Sequence, residues 1–163
     1  MRRGYGRLTL AALAAVAAAA TAASCSFRAG DAGLELAITA QEGGKRLLAV
    51  GAAAGDELVF EWIHSVELFP WFEYFDVAPD GALILRETRI AGFGAGVPYE
   101  RGTSVRIEDG FIVYGGIDES FPSYRWINSA TAFASVSLNG KTVARGADLP
   151  HHEALELRVA PRR

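Results

Sequence analysis

The sequence predicts an all-β protein, a single antiparallel β-sandwich or barrel built from successive hairpins. Three observations carry this. Apolar and polar residues alternate with period two along most of the chain after Cys25, glycine turns separate successive runs, and no segment sustains an apolar stripe of helical period over three turns. In chain order, LELAI (Leu34 to Ile38) and KRLLAV (Lys45 to Val50) flank Glu42-Gly43-Gly44, and WFEYFDV and ALILRETRI flank Asp80-Gly81. SVRIE and FIVYGG flank Asp109-Gly110, and FASVSL and KTVARG flank Asn139-Gly140. Asn-Gly and Asp-Gly readily take the positive φ angles of type I′ turns, whose twist matches that of the strands on either side. A further hairpin is expected where ELVFEWIHSVE runs as one strand, Pro70 marks the bend and WFEYFDV returns. ALELRV adds a closing strand, for a total of about nine or ten in one sandwich or barrel.

The chain has 163 residues, half of them hydrophobic and 21% charged, which fits one globular domain and leaves no comfortable room for a second. Residues 1–24 read as a signal peptide and 26–163 as the β domain. Arg2, Arg3 and Arg7 precede an apolar run from Leu8 to Ala23 with no acidic residue, the layout of a secretory signal. At about 16 residues the run falls short of the roughly 20 that span a bilayer, so a retained anchor helix is the second choice. Cys25, the only cysteine, follows small residues at the end of this run. Its position resembles a bacterial lipobox, in which the thiol takes a diacylglyceryl group and several acyl chains tether the mature protein. Ala22 stands where a lipobox usually has Leu, so ordinary cleavage near Ala22 or Ser24 competes. Acylation would also remove the hazard of a lone thiol in an exported chain. The expected location is the periplasmic face of a bacterial membrane, or the exterior if Cys25 is not acylated. The formal charge of −3 becomes three units more negative once the leader arginines are gone, and the remaining Lys and Arg are scattered. Nucleic acid, which needs a basic stripe, is excluded as a partner.

The stretch FEWIHSVELFPWFEYF gathers aromatic rings around one His-Ser pair and several glutamates. On a regular strand Phe60, Trp62, His64 and Val66 share one face, and Ser65 and Glu67 lie on the other, so His64 and Ser65 cannot form a nucleophile-base dyad. Across the hairpin His64 faces Glu73 if Val66 is opposite Trp71, and Tyr74 if the pairing slips by one residue. A His-Glu pair among aromatic rings can bind a ligand carboxylate when protonated or hold a fixed tautomer, and a structural histidine bonded to backbone or to Tyr74 is the competing reading. GFGAGVPYE (Gly92 to Glu100) has alternating glycines but runs into Pro98 with no helix to follow, so it reads as a sharp loop, with a small anion nest as the functional alternative. HHE (His151 to Glu153) matches no usual zinc spacing and reads as an exposed turn before the last strand. No cofactor and no metal are expected.

HSVE, the following PWFEYF and the later FGAGVPYE together resemble the bacterial domain of unknown function 1850 family, small exported or membrane-tethered proteins. The His64-Ser65 pair and Gly94-Ala95-Gly96-Val97-Pro98 are the most specific points of likeness. The resemblance implies a periplasmic setting and genes beside TRAP-type transporters of the TAXI class, with no established activity and no catalytic residue to carry over. Three readings follow. The preferred one is an accessory domain, held at the membrane by its N-terminal anchor, that binds a TRAP-type transporter component or its solute. Its candidate patch is His64, Ser65, Glu67, Trp71, Glu73, Gly94, Gly96, Pro98 and Tyr99. The others are a small periplasmic enzyme using His64 with Glu67 or Glu73, and a purely structural envelope protein.

Overall fold

The glycine turns mark the strand ends closely. The computed structural model describes residues 33–92 and 101–162, and among these it contains eleven strands and one short 3-10 turn, Gly146–Asp148. The strands are β1 (Leu34–Ala40), β2 (Arg46–Ala52), β3 (Glu57–Ile63), β4 (Pro70–Val77), β5 (Leu83–Ile90), β6 (Ser104–Glu108), β7 (Phe111–Phe121), β8 (Tyr124–Ile127), β9 (Phe133–Leu138), β10 (Lys141–Arg145) and β11 (Ala154–Pro161). They form two antiparallel sheets. The small one has the order β2-β1-β11-β8 and the large one β10-β9-β3-β4-β5-β7-β6, so the architecture is a sandwich rather than a barrel. All five expected hairpins form. Strand β8 was not anticipated, and β7 runs well past FIVYGG.

Turn chemistry explains most of the connections. Both central residues are left-handed at Asp109-Gly110 (φ 50 and 83) and at Asn139-Gly140 (φ 50 and 74), as type I′ turns require. At Asp80-Gly81 only the glycine has positive φ, and the longer loop from Ala78 to Ala82 is closed by Ala78 N donating to Ala82 O at 2.8 Å. Packing decides this difference. A Cβ on Gly81 would lie 2.3 Å from the Val159 carbonyl oxygen, so the turn of one sheet rests directly on the backbone of the other.

Alternation along β1, with Leu34, Leu36, Ile38 and Ala40 all buried, gives the small sheet its apolar face. With Leu155 and Leu157 of β11 it packs against Leu58, Phe60, Phe75 and Leu85 of the large sheet. Phe60 is the hub of this core: its ring centroid lies 4.2 Å from Tyr124, 5.8 Å from Phe75 and 6.0 Å from Trp126. Two of these three partners come from β8, so the aromatic contacts cross the sandwich. A second cluster on the large sheet joins Ile90, Ile112 and Tyr114 to Phe69, Trp71 and Ile117.

One buried polar residue ties the C-terminal loop to the core. Asn128, fully buried, donates through Nδ2 to the carbonyls of Gly146, Leu149 and Pro150 at 3.1, 3.2 and 3.0 Å, and its Oδ1 accepts from Trp126 Nε1 at 3.4 Å. Asn128→Leu leaves these groups without a partner and is expected to destabilise the fold by about 3 kcal/mol, since each buried orphan costs roughly 1 to 3. Urea unfolding checks this: the midpoint falls while the m-value stays the same.

Candidate functional site

The first candidate feature is the β3–β4 turn. Strand β3 ends at Ile63, and Trp62 pairs with Trp71 and Ile63 with Pro70. His64, Ser65 and Glu67 therefore lie in a turn, which corrects the expectation of a continuous strand through Glu67. Neither anticipated register forms: Glu73 faces Phe60 and Tyr74 faces Val59. The turn closes when His64 N donates to Phe69 O at 2.8 Å and Leu68 N donates to His64 O at 2.9 Å, with Leu68 left-handed at φ 57. A leucine seldom adopts this conformation, which glycine or asparagine normally marks, so nothing in SVELF announced the turn.

Leaving the strand frees His64 and Glu67 from alternation, and they meet. Glu67 Oε2 lies 2.6 Å from His64 Nδ1. The N–H groups of Val66 and Glu67 donate to the same nitrogen at 3.4 and 3.3 Å. The imidazole stacks on Phe69 at 4.9 Å and lies parallel to Trp71 at 6.5 Å. Gly92, the first residue of the glycine segment, packs beneath the same ring: a Cβ there would sit 3.0 Å from Phe69 Cε1. Ser65, Val66, Glu67 and Leu68 face solvent. Cys25 and the loop residues Gly94, Gly96, Pro98 and Tyr99 lie outside the described residues.

The second feature is a polar node on the inner face of the large sheet. Glu73 is buried, and its Oε2 accepts a short hydrogen bond from Tyr124 Oη, which reaches across from the small sheet. Burial raises the Glu73 pKa above its usual value, while the Tyr124 hydrogen bond and the positive charge of Arg101 oppose the rise. Tyr124 is pushed far above the ordinary phenol range by burial and by the Glu73 charge, so it keeps its proton and remains the donor. The Trp62 indole N–H is also directed at Glu73 and favours its carboxylate, although not within normal hydrogen-bond geometry. Arg101 Nη2 donates to Glu119 Oε2 at 3.0 Å beside this pair. A bulge in β7, where Leu85 faces Glu119 but Glu87 faces Gly115, delivers Glu119 to that position.

Three buried polar atoms of the same face, Trp62 Nε1, Trp71 Nε1 and Thr88 Oγ1, make no hydrogen bond of normal geometry among the described residues. Register makes them neighbours: Trp62 faces Trp71, and Glu73 faces Thr88. Each such group costs about 1 to 3 kcal/mol. The sequence put Trp71 and Glu73 in one candidate patch, but Tyr124, Trp62, Thr88 and Arg101 escaped it, because no local pattern marks residues that meet only when the strands are paired and the sheets stacked.

The remaining motifs lie elsewhere. His151 and His152 are exposed and stacked at 3.7 Å in the turn before β11, and no group of three His, Cys, Asp or Glu converges for a metal among the described residues. A groove of about 310 Å³ on the outer face of the small sheet is lined by Glu35, Thr39, Arg46, Glu156 and Arg158, among others, well apart from both features.

A two-sheet antiparallel sandwich with a buried acid-phenol pair between its layers is the class of protein that fold and site define. The profile of the family described as Domain of unknown function (DUF1850) matches residues 58–144, more than half of the chain, and the chain belongs to that family. The matched span holds the His64 turn, Glu73, Thr88, Arg101 and Tyr124, nearly all of the large sheet, and β8 from the small one. Neither a curated protein nor a solved structure matches the chain.

The raised Glu73 pKa sets a pH dependence. The folded state binds the extra proton between the unfolded value of 4.5 and the higher folded one, so the stability linked to Glu73 is complete below 4.5 and is lost as pH rises through the folded value. Glu73→Gln keeps an acceptor for Tyr124 and removes the charge. Urea unfolding across this window is expected to show the declining limb in the native chain and its absence in the variant.

Proposed function

We propose that the protein is a non-catalytic accessory domain, exported and tethered to the membrane through Cys25, that docks on a component of a TRAP-type uptake system with its β3–β4 turn. One observation carries the reading. Val66 and Leu68 are 70% and 73% exposed in a turn fastened by the His64–Glu67 contact and by the ring of Phe69, with Leu68 in a left-handed conformation. That conformation costs about 1 to 3 kcal/mol for a residue other than glycine. Packing gains nothing from it, since neither side chain is buried; a rigid, exposed apolar pair is instead the form of an anchor that enters a partner's pocket. The link to TRAP-type uptake comes from the family resemblance, and the apolar run that ends at Cys25 supports export and tethering.

Crosslinking in native membranes is expected to capture a transporter membrane subunit or its solute-binding protein. Leu68→Asp should cut that capture about tenfold, the effect of losing one hot-spot contact of roughly 1.4 kcal/mol, while leaving the unfolding midpoint unchanged. Cys25→Ala should move the protein into the soluble fraction. The reading fails if gene deletion leaves uptake unchanged and crosslinking returns only unrelated envelope proteins.

A further inference from the structure

We infer that the polar node on the inner face of the large sheet is a binding site for a compact carboxylate. This inference is independent of the docking turn. Its starting point is three buried atoms that make no hydrogen bond of normal geometry among the described residues: Trp71 Nε1, Thr88 Oγ1 and Trp62 Nε1, the last already drawn toward Glu73 and Tyr124. An indole nitrogen only donates, so two of the three require an acceptor, and the hydroxyl can serve as a third donor. Burying an indole N–H without a well-placed acceptor is costly, so the indoles are poorly explained as packing alone.

The charges nearby fit an anion with an additional donor group. Arg101 lies close enough to Glu73 and Tyr124 to act on both electrostatically, and it is partly exposed, as is its partner Glu119. This ion pair leads from the node to solvent and brings a guanidinium to its rim. Glu73, already bonded by Tyr124, is the acceptor that a hydroxyl or ammonium on the ligand would meet. The ligand class is therefore a small molecule with carboxylate oxygens toward the indoles and Thr88, and a hydrogen-bond donor toward Glu73. A simple cation is disfavoured because both indole nitrogens can only donate.

The three tryptophans supply the assay. Trp126 Nε1 is already directed to Asn128 Oδ1 at 3.4 Å, so it is an internal control for Trp62 and Trp71. The full chain in detergent, labelled with nitrogen-15 at its indoles, is titrated with acetate, succinate and glutamate, with ethylammonium as the cationic counterpart and chloride at matched ionic strength. Saturable shifts of the Trp62 and Trp71 indole N–H signals with at least one carboxylate, and an unmoved Trp126 signal, are expected. Thr88→Val, nearly isosteric, should weaken the response about tenfold, and Trp71→Phe should weaken the remaining Trp62 shift, each with an unchanged β-type circular dichroism spectrum. The inference is overturned if no carboxylate shifts either signal, if chloride or ethylammonium gives the same shifts, or if both indole protons show only exchange and cross-relaxation with bound water. If a variant fails to fold, the native titration with its Trp126 control still decides the matter.

Discussion

A carboxylate placed between two apolar sheets has to be met by a donor from the sheet opposite, and the Glu73–Tyr124 hydrogen bond meets that condition. Much else follows from it. Tyr124 can reach Glu73 only if β8 lies over β3 and β4, and that placement also brings the phenol ring to 4.2 Å from Phe60 and Trp126 to 6.0 Å from the same ring. This polar contact, directional where the leucine and isoleucine contacts are not, helps to hold the lateral position of the layers, as the Asn128 hydrogen bonds do at the other end of β8. Apolar burial supplies most of the driving force for stacking the sheets, while the acid-phenol bond contributes to the choice of alignment.

The same register governs the turn. Pairing Trp62 with Trp71 puts Pro70 at the first position of β4, where its missing N–H is tolerated, and it obliges the chain to reverse between His64 and Phe69. The reversal draws His64 and Glu67 together and moves His64 away from the strand position that would have faced Glu73. Two acid-containing groupings result where one was expected: a surface pair at the turn and a buried pair in the sandwich. Aromatic residues connect them, since Trp71 stands parallel to His64 on one side and faces Trp62, the neighbour of Glu73, on the other.

The family match has a structural counterpart. Residues 58–144 hold the turn and the node, whereas β1, β2 and β11 lie outside the match and contribute mainly covering apolar side chains such as Leu36, Ile38 and Leu157. Covering a sheet face asks only for apolar side chains of suitable volume at alternate positions, and many sequences satisfy it. A buried acid that needs a specific donor is far more demanding.

By itself the sequence determined the fold class, the five hairpins and the alternation that puts Phe60 and Trp62 on one face of their strand. These are local properties: the period of a strand and the φ preferences of Asn-Gly and Asp-Gly act over a few residues and need no partner to be read. Tertiary structure alone decided the β3–β4 register, the left-handed Leu68, the loop at Asp80-Gly81 and the meeting of Glu73 with Tyr124. The physical reason is common to them. Each depends on a contact between segments distant in the chain or on packing that overrides a local preference, as when the Val159 backbone leaves no space for a Cβ at Gly81. A slip of one residue would have reversed every face in a strand, and only the sum of the cross-strand and cross-sheet contacts excludes it.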